Sequence, residues 1–100
     1  MLDIRFVRAH PEALRRAAQL KRLDFDVDRL LALDAERRRL LQTSEELKAE
    51  QNRTSKQIAG LQGEERAARI AAMQGLVARL RELGEEQKRV EAQFGELMLL

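Results

Sequence analysis

Apolar residues recur at alternating steps of three and four along two long stretches of this chain. The first stretch runs from Leu30 to Leu61 and the second from Met73 to Leu97. Such spacing places one stripe of each helix against a partner helix. The first ladder is Leu30, Leu33, Arg37, Leu40, Ser44, Leu47, Gln51, Thr54, Ile58 and Leu61, and the second is Met73, Leu76, Leu80, Leu83, Gln87, Val90, Phe94 and Leu97. We expect the few polar members to set the register of the seam.

The two ladders are separated by Gly60 and Gly63, the only glycines before residue 75. A glycine-rich break between ladders of similar length lets the chain turn back, so that each helix becomes the partner of the other. The pattern therefore predicts a turn near 60–63, with the first helix reaching about Ala59 and the second beginning near Gly63. A parallel dimer of continuous helices is disfavoured, because both glycines would lie inside its helices. With a turn centred near residue 62, Leu40 meets Leu83 and Arg37 faces Gln87.

The residues before the first ladder have a different character. Pro11 marks the start of a short helix that runs to about Leu20, because proline at the first helical position loses no needed hydrogen bond. Asp26 or Asp28 is expected to cap the long helix. We expect a small apolar cap built from Ile4, Phe6, Val7, Ala13, Leu14, Ala17, Ala18 and Leu20, with Phe25 and Val27 anchoring the loop that follows. The predicted fold is all-α: a long antiparallel two-helix coiled-coil hairpin over 28–100 with a small N-terminal helical cap over 1–27, together one domain.

Composition argues against an enzyme in this chain alone. Charged residues make up 36% and aromatic residues 3%, as in long helices, and there is no cysteine. His10 is the single histidine and is explained by helix entry, so neither a metal site nor a Ser/His/Asp set can be assembled. No apolar run is long enough to cross a bilayer and no signal peptide is visible, so we expect a cytoplasmic protein.

Charge is unevenly distributed along the predicted hairpin. Residues 48–81, around the turn, contain seven basic and three acidic residues, a net charge of +4. Residues 28–47 and 82–100 contain six basic and ten acidic residues, a net charge of −4. A basic tip on a helical hairpin is typical of a surface that binds phosphates. Fluctuation of charge along solvated helix faces explains the same counts about equally well.

Four segments resemble a known family in order and spacing. Residues 47–61, LKAEQNRTSKQIAGL, place Asn52 shortly before a Ser55-Lys56 pair near the predicted turn. Residues 1–5, 10–12 and 26–34 read MLDIR, HPE and DVDRLLALD. Together these segments resemble the N-terminal domain of bacterial seryl-tRNA synthetases, and the resemblance covers essentially the whole chain.

The resemblance implies an arm that projects from a class II catalytic core and grips the long variable arm and elbow of serine tRNA. The core is absent here. The parent enzyme would attach serine to tRNA using ATP and a divalent metal ion and would be a homodimer, whereas the arm by itself would be a monomer without cofactor. Charge and resemblance together favour six residues as RNA contacts: Lys48, Asn52, Arg53, Lys56, Arg66 and Arg69. Arg79 and Arg81 are weaker candidates.

A structural or protein-interaction hairpin without any RNA role is the alternative. Leu41 lies beside the seam and widens the apolar stripe, which could support a second interface. This alternative predicts partner binding that is insensitive to salt and to RNA.

Overall fold

The computed structural model describes residues 3–20 and 26–99, and within these ranges the chain is helical without strands. Four helices follow one another: α1 (Ile4–Ala9), α2 (Pro11–Leu20), α3 (Val27–Ala59) and α4 (Gly63–Met98). The predicted all-α hairpin of two long helices with a small helical cap is confirmed. The start of α2 at Pro11, the end of α3 at Ala59 and the start of α4 at Gly63 are the predicted bounds.

Aspartate side chains cap the N-termini of two of the helices. The backbone N–H of Arg5 donates to Asp3 Oδ1 at 2.9 Å, which caps α1. The N–H of Arg29 donates to Asp26 Oδ1 at 2.9 Å, so Asp26, one of the two predicted candidates, caps α3. The other candidate, Asp28, is ion-paired with Arg15 of α2.

A three-residue connection joins α3 to α4. The N–H groups of Gly60 and Leu61 donate to the carbonyls of Gln57 and Ile58 at 3.1 and 3.2 Å, which tightens the end of α3. Gly63 then has a φ of 64°, a left-handed conformation that residues with a Cβ rarely adopt. The glycine expected at the turn is therefore required by the backbone.

Contacts divide the chain into two compact units. Unit 1 comprises Met1–Arg38 and Lys88–Leu100, and unit 2 comprises Arg39–Gln87. All ten residues of the first ladder and all eight of the second are buried or half-buried, which confirms the predicted seam. The assignment of 1–27 to a cap and 28–100 to an arm stays a prediction.

The core of unit 1 is a small cluster of Val7, Val27, Leu30 and Phe94. Because Leu30 lies early in α3 and Phe94 late in α4, their contact has the antiparallel sense that the turn predicts. Val27 is 2% exposed, as expected for a loop anchor, whereas Phe25 lies outside the described residues. The residues packed around the cluster are Ile4, Leu14, Leu31, Leu33, Leu97 and Met98.

The predicted membership of the N-terminal cap is wrong in part. Phe6 and Leu20 are 51% and 79% exposed, and Ala13 and Ala17 are also exposed. The reason is that residues 4–9 form a helix, in which neighbouring side chains diverge by about 100°. Val7 turns into the core, and Phe6 must then face away from it.

Asp34 is the polar centre of unit 1 and is completely buried. Arg8 of α1 binds it with two parallel hydrogen bonds, Nε to Oδ2 at 2.6 Å and Nη2 to Oδ1 at 2.9 Å. Arg37 and Arg38 approach the same carboxylate at 3.4 and 3.3 Å. The hydrogen bonds from Arg8, aided by the charges of the other two arginines, lower the pKa of Asp34 below its ordinary value. This cluster fastens α1 to α3.

Arg37 makes contacts that the sequence did not predict. Its Nε donates to Glu91 Oε1 at 2.7 Å, and its guanidinium carbon lies 4.0 Å from the centre of the Phe94 ring. Glu91 is one helical turn beyond Gln87, the residue expected opposite. The long side chain of Arg37 can bridge this offset while its planar head stacks on an aromatic face.

Unit 2 is held by the leucine seam. Leu40, Leu47 and Leu76 are 1%, 7% and 8% exposed, and Leu40 and Leu83, expected to meet, line the same cleft. Ser44 and Thr54 are the buried polar members of the seam. Among the described residues, every fully buried side-chain nitrogen or oxygen has a hydrogen-bond partner. Polar seam positions are therefore compatible with stable packing here.

Candidate nucleic-acid interface

Four of the six predicted RNA contacts lie on the last three turns of α3. Lys48, Asn52 and Lys56 are spaced by four residues and so form one row along the helix surface, with Arg53 beside it. All four are exposed, and Lys48 and Arg53 are each one position away from a buried seam residue, Leu47 and Thr54. The heptad pattern that buries the leucines thus places this row outside the seam.

The remaining two predicted contacts, Arg66 and Arg69, lie one turn apart near the start of α4 and are exposed. They stand seven residues before Met73 and Leu76, where the seam ladder would continue towards the turn. Every residue from 62 to 72 is exposed, so the seam is open at this end of α4. The weaker candidates Arg79 and Arg81 are exposed as well.

A shallow cleft accompanies this open stretch of unit 2. Its volume is about 490 Å³, and it is lined by Leu61, Glu65, Ala68, Arg69 and Ala72. Arg66 and Arg69 occupy the positions where apolar residues would continue the seam, and the small side chains of Ala68 and Ala72 leave the cleft unfilled. The corresponding feature of the sequence is that the apolar ladder of α4 begins only at Met73.

The predicted RNA contacts have no partner side chains within the described part of the chain. Neither an ion pair nor a side-chain hydrogen bond there involves Lys48, Asn52, Arg53, Lys56, Arg66 or Arg69. In unit 1, by contrast, Arg8, Arg15, Arg37 and Arg38 are all paired with carboxylates. Exposed cations without an internal partner can bind phosphate without first giving up an internal ion pair.

The described residues were also compared with the requirements of a metal site and of a membrane-spanning helix. Within residues 3–20 and 26–99, no group of three or more His, Asp or Glu side chains is placed to hold a metal ion. None of the described helices is long and apolar enough to span a membrane.

Comparison with known proteins gives a consistent family. The family model described as the seryl-tRNA synthetase N-terminal domain matches residues 1–100. The chain is 42% identical over 100 residues to the serine–tRNA ligase of Symbiobacterium thermophilum, covering 98% of this chain and 24% of that protein. It is 36% identical over 97 residues to the corresponding ligase of Dictyoglomus turgidum, covering 94% of this chain and 23% of the relative.

A third relative, the serine–tRNA ligase of Thermomicrobium roseum, is 42% identical over 87 residues, covering 86% of this chain and 20% of the relative. The chain therefore spans between a fifth and a quarter of the length of these ligases. With a family model that matches from end to end and a helical hairpin as its fold, this chain belongs to the family of seryl-tRNA synthetase N-terminal domains.

Proposed function

We propose that this chain is the tRNA-binding arm of a serine–tRNA ligase. The observation that carries the proposal is the set of exposed, internally unpaired cations of unit 2 in a chain that belongs to this family. The relatives it matches are serine–tRNA ligases. The arm would bind the long variable arm and elbow of serine tRNA and hold it for the catalytic part of the parent enzyme.

Binding would act mainly through phosphates. Lys48, Arg53 and Lys56 on α3 and Arg66 and Arg69 on α4 would neutralise backbone charge and release counterions. Asn52, with an amide that both donates and accepts, would bond to a phosphate or sugar oxygen within the same row. Such contacts fix position and orientation without reading bases, so selection would depend on the shape of the RNA, here on its long variable arm.

The same proposal assigns the chemistry to the remainder of the parent protein. That part would hold ATP and a divalent metal ion and would attach serine to the tRNA, in the cytoplasm, as a homodimer. This chain would contribute binding and orientation only.

The deciding experiment is a titration with tRNAs that have and lack a long variable arm, at several salt concentrations. About four to six phosphate contacts should give a slope of log affinity against log salt of about −3 to −5. Arg53→Ala and Lys56→Ala should each weaken tRNA binding. Each should also make the salt slope less steep by about 0.7 to 0.9.

The matched controls are Arg29→Ala and Lys88→Ala, which remove exposed cations from unit 1. They should leave affinity and slope unchanged. Equal losses from both pairs of variants would indicate nonspecific attraction, and equal affinity for both kinds of tRNA would contradict a gripping arm. Either outcome would favour the alternative of an interaction hairpin, for which the 54% exposed Leu41 is the best surface anchor.

A further inference from the structure

The seam of unit 2 has two sides, and a cleft identifies one of them. The cleft has a volume of about 240 Å³ and reaches the seam leucines Leu40, Leu47 and Leu83. Its polar lining residues come from both long helices, and each directly precedes a residue of the seam: Arg39, Thr43, Arg79, Glu82 and Glu86. Side chains that directly precede a seam residue therefore share one side of unit 2, which we call the cleft side.

Side chains that directly follow a seam residue lie on the opposite side, which we call the far side. Adjacent residues of a helix are about 100° apart, so the residues before and after a seam position diverge to its two sides. The rule gives the same side for both helices, because α3 and α4 run in opposite directions and also face each other across the seam. The far side is formed by Lys48 and Asn52 of α3 and by Gln74, Val77 and Arg81 of α4.

A row of exposed side chains follows α4 along the far side: Arg66, Ile70, Gln74, Val77 and Arg81. Their spacing of four, four, three and four residues places them one after another on one face of the helix. Ile70 and Val77 are 39% and 42% exposed. The row thus presents two apolar side chains to solvent between two arginines.

Charge favours RNA as the occupant of the far side. Within residues 48–81, no residue that directly follows a seam residue is acidic, whereas Glu50, Glu82 and Glu86 all directly precede one. A phosphate backbone is attracted to cations that have no carboxylates among them. Between its phosphates RNA presents ribose and base edges, which apolar side chains can cover.

We propose that tRNA lies against the far side of α4, with Arg81 at a phosphate and with Ile70 and Val77 packed on the ribose and base edges between phosphates. The cleft side, with Arg79, faces away from the RNA. The proposal rests on the proposed function and adds to it the side of approach and two apolar contacts. The contacts proposed on α3 are unchanged, because Arg53 lies one turn from Lys56 on the outer surface of that helix.

The two arginines of α4 provide a matched test, since Arg79 and Arg81 are both exposed and only two residues apart. Arg81→Ala should weaken binding of a tRNA with a long variable arm about fivefold at about 0.1 M salt. It should also make the salt slope less steep by about 0.7 to 0.9, whereas Arg79→Ala should change neither quantity. Equal losses from the two variants would overturn the proposal.

The apolar contacts require a different readout. Val77→Ser should weaken tRNA binding about threefold without changing the salt slope, because it removes apolar contact and no charge. Ala72→Ser, on the cleft side, is the control and should leave affinity unchanged. Circular dichroism of each variant checks that the helices are retained. An unchanged affinity of a folded Val77→Ser variant would remove the apolar contact.

Photo-crosslinking tests the side of approach without relying on affinity. Ala72 and Gln74 are exposed and lie directly before and after the same seam residue, Met73. With p-benzoylphenylalanine at either position, cross-links to bound tRNA should form from position 74 and not from position 72. Cross-links of similar yield from both positions, or from position 72 only, would overturn the proposal.

Failure of this proposal can be distinguished from failure of the proposed function. If Arg53→Ala and Lys56→Ala weaken binding as expected but Arg79→Ala and Arg81→Ala act equally, the tRNA-binding arm is retained and the side of approach is lost. Equal affinity for tRNAs with and without a long variable arm would contradict the proposed function itself.

Discussion

The arginines around Asp34 in unit 1 and the predicted RNA contacts of unit 2 use their charges in opposite ways. In unit 1, Arg8 joins α1 to the buried Asp34 of α3, and Arg15 joins α2 to Asp28. In unit 2 the cations of α3 and α4 that were predicted to bind RNA have no internal partner among the described residues. The same residue types thus stabilise one region and remain available in the other.

Burial explains the difference. Asp34 is 0% exposed, so its charge must be compensated within the protein, and the arginines around it are committed to that task. Unit 2 buries leucines and two small hydroxyl side chains in its seam, which need no counter-ion. The cations predicted to bind RNA can therefore stay in solvent, where an internal ion pair would contribute little to stability. Removal of a charge should consequently leave stability almost unchanged at the predicted RNA contacts of unit 2 and lower it around Asp34.

The largest expected effect is on the seam of unit 2. Leu40→Ala should lower the free energy of unfolding by about 2 to 4 kcal/mol, because Leu40 is 1% exposed and its removal leaves a cavity. Denaturant melts monitored by circular dichroism would measure the loss. The neighbouring Leu41→Ala, at a position that is 54% exposed, should cost well under about 1 kcal/mol. Comparable losses from the two variants would show that the core face is assigned wrongly.

The next effect concerns the buried carboxylate of unit 1. Asp34→Ala should cost about 2 to 3 kcal/mol, because it removes the acceptor of the paired hydrogen bonds from Arg8. Glu91→Ala, which removes the other carboxylate bound to Arg37, should cost under about 1 kcal/mol because the Glu91 side chain is 56% exposed. Lys56→Ala in unit 2 should change stability by no more than about 0.5 kcal/mol. A loss of stability from Lys56→Ala as large as that from Asp34→Ala would contradict the proposed difference between the units.

Acid should weaken unit 1 through the same carboxylate. The pKa of Asp34 is lowered in the folded protein, chiefly by hydrogen bonds from Arg8, so its contribution to stability is complete above the pKa of an unfolded aspartate, about 3.9. That contribution is lost as pH falls through the lower folded pKa. In urea melts between pH 7 and pH 2, the difference between the wild type and Asp34→Asn should therefore stay constant down to about pH 4 and shrink below it. A difference that grows on acidification would contradict the lowered pKa.

The smallest expected effect is a gain in stability on replacing glycines of α4 by alanine, and it should be equal in the two units. Gly75 of unit 2 and Gly95 of unit 1 lie inside α4, and a Cβ built on either has no atom within 4 Å. Gly75→Ala and Gly95→Ala should each stabilise the protein by about 0.5 to 1 kcal/mol, because alanine restricts the unfolded chain and favours helix. Thermal melts would measure both gains. Gly63→Ala is the opposing control and should destabilise, since Gly63 has a φ of 64°.

Much of the fold follows from local sequence rules. Pro11, Asp26 and Gly63 fix helix ends through backbone geometry and capping, and those rules depend on neighbouring residues only. The seam was predicted residue by residue because a heptad repeat leaves little choice of buried face once the chain turns back at Gly60 and Gly63. The exposure of Lys48, Asn52, Arg53 and Lys56 follows from the same repeat. Their part in RNA binding is a proposal that the tRNA titration will decide.

What the sequence did not determine lies where distant segments meet. Asp34 is not a member of the apolar ladder, and only the packing of α1 on α3, which brings Arg8 to its carboxylate, makes it the buried centre of unit 1. The position of Phe6 was likewise decided by tertiary structure, because residues 4–9 form a helix that can bury Val7 only by exposing its neighbour. The sequence by itself determined the periodic helices, their ends and the seam, since local geometry governs them. The tertiary structure decided which charges are paired and which side chains of α1 reach the core, since those depend on contacts between residues far apart in the chain.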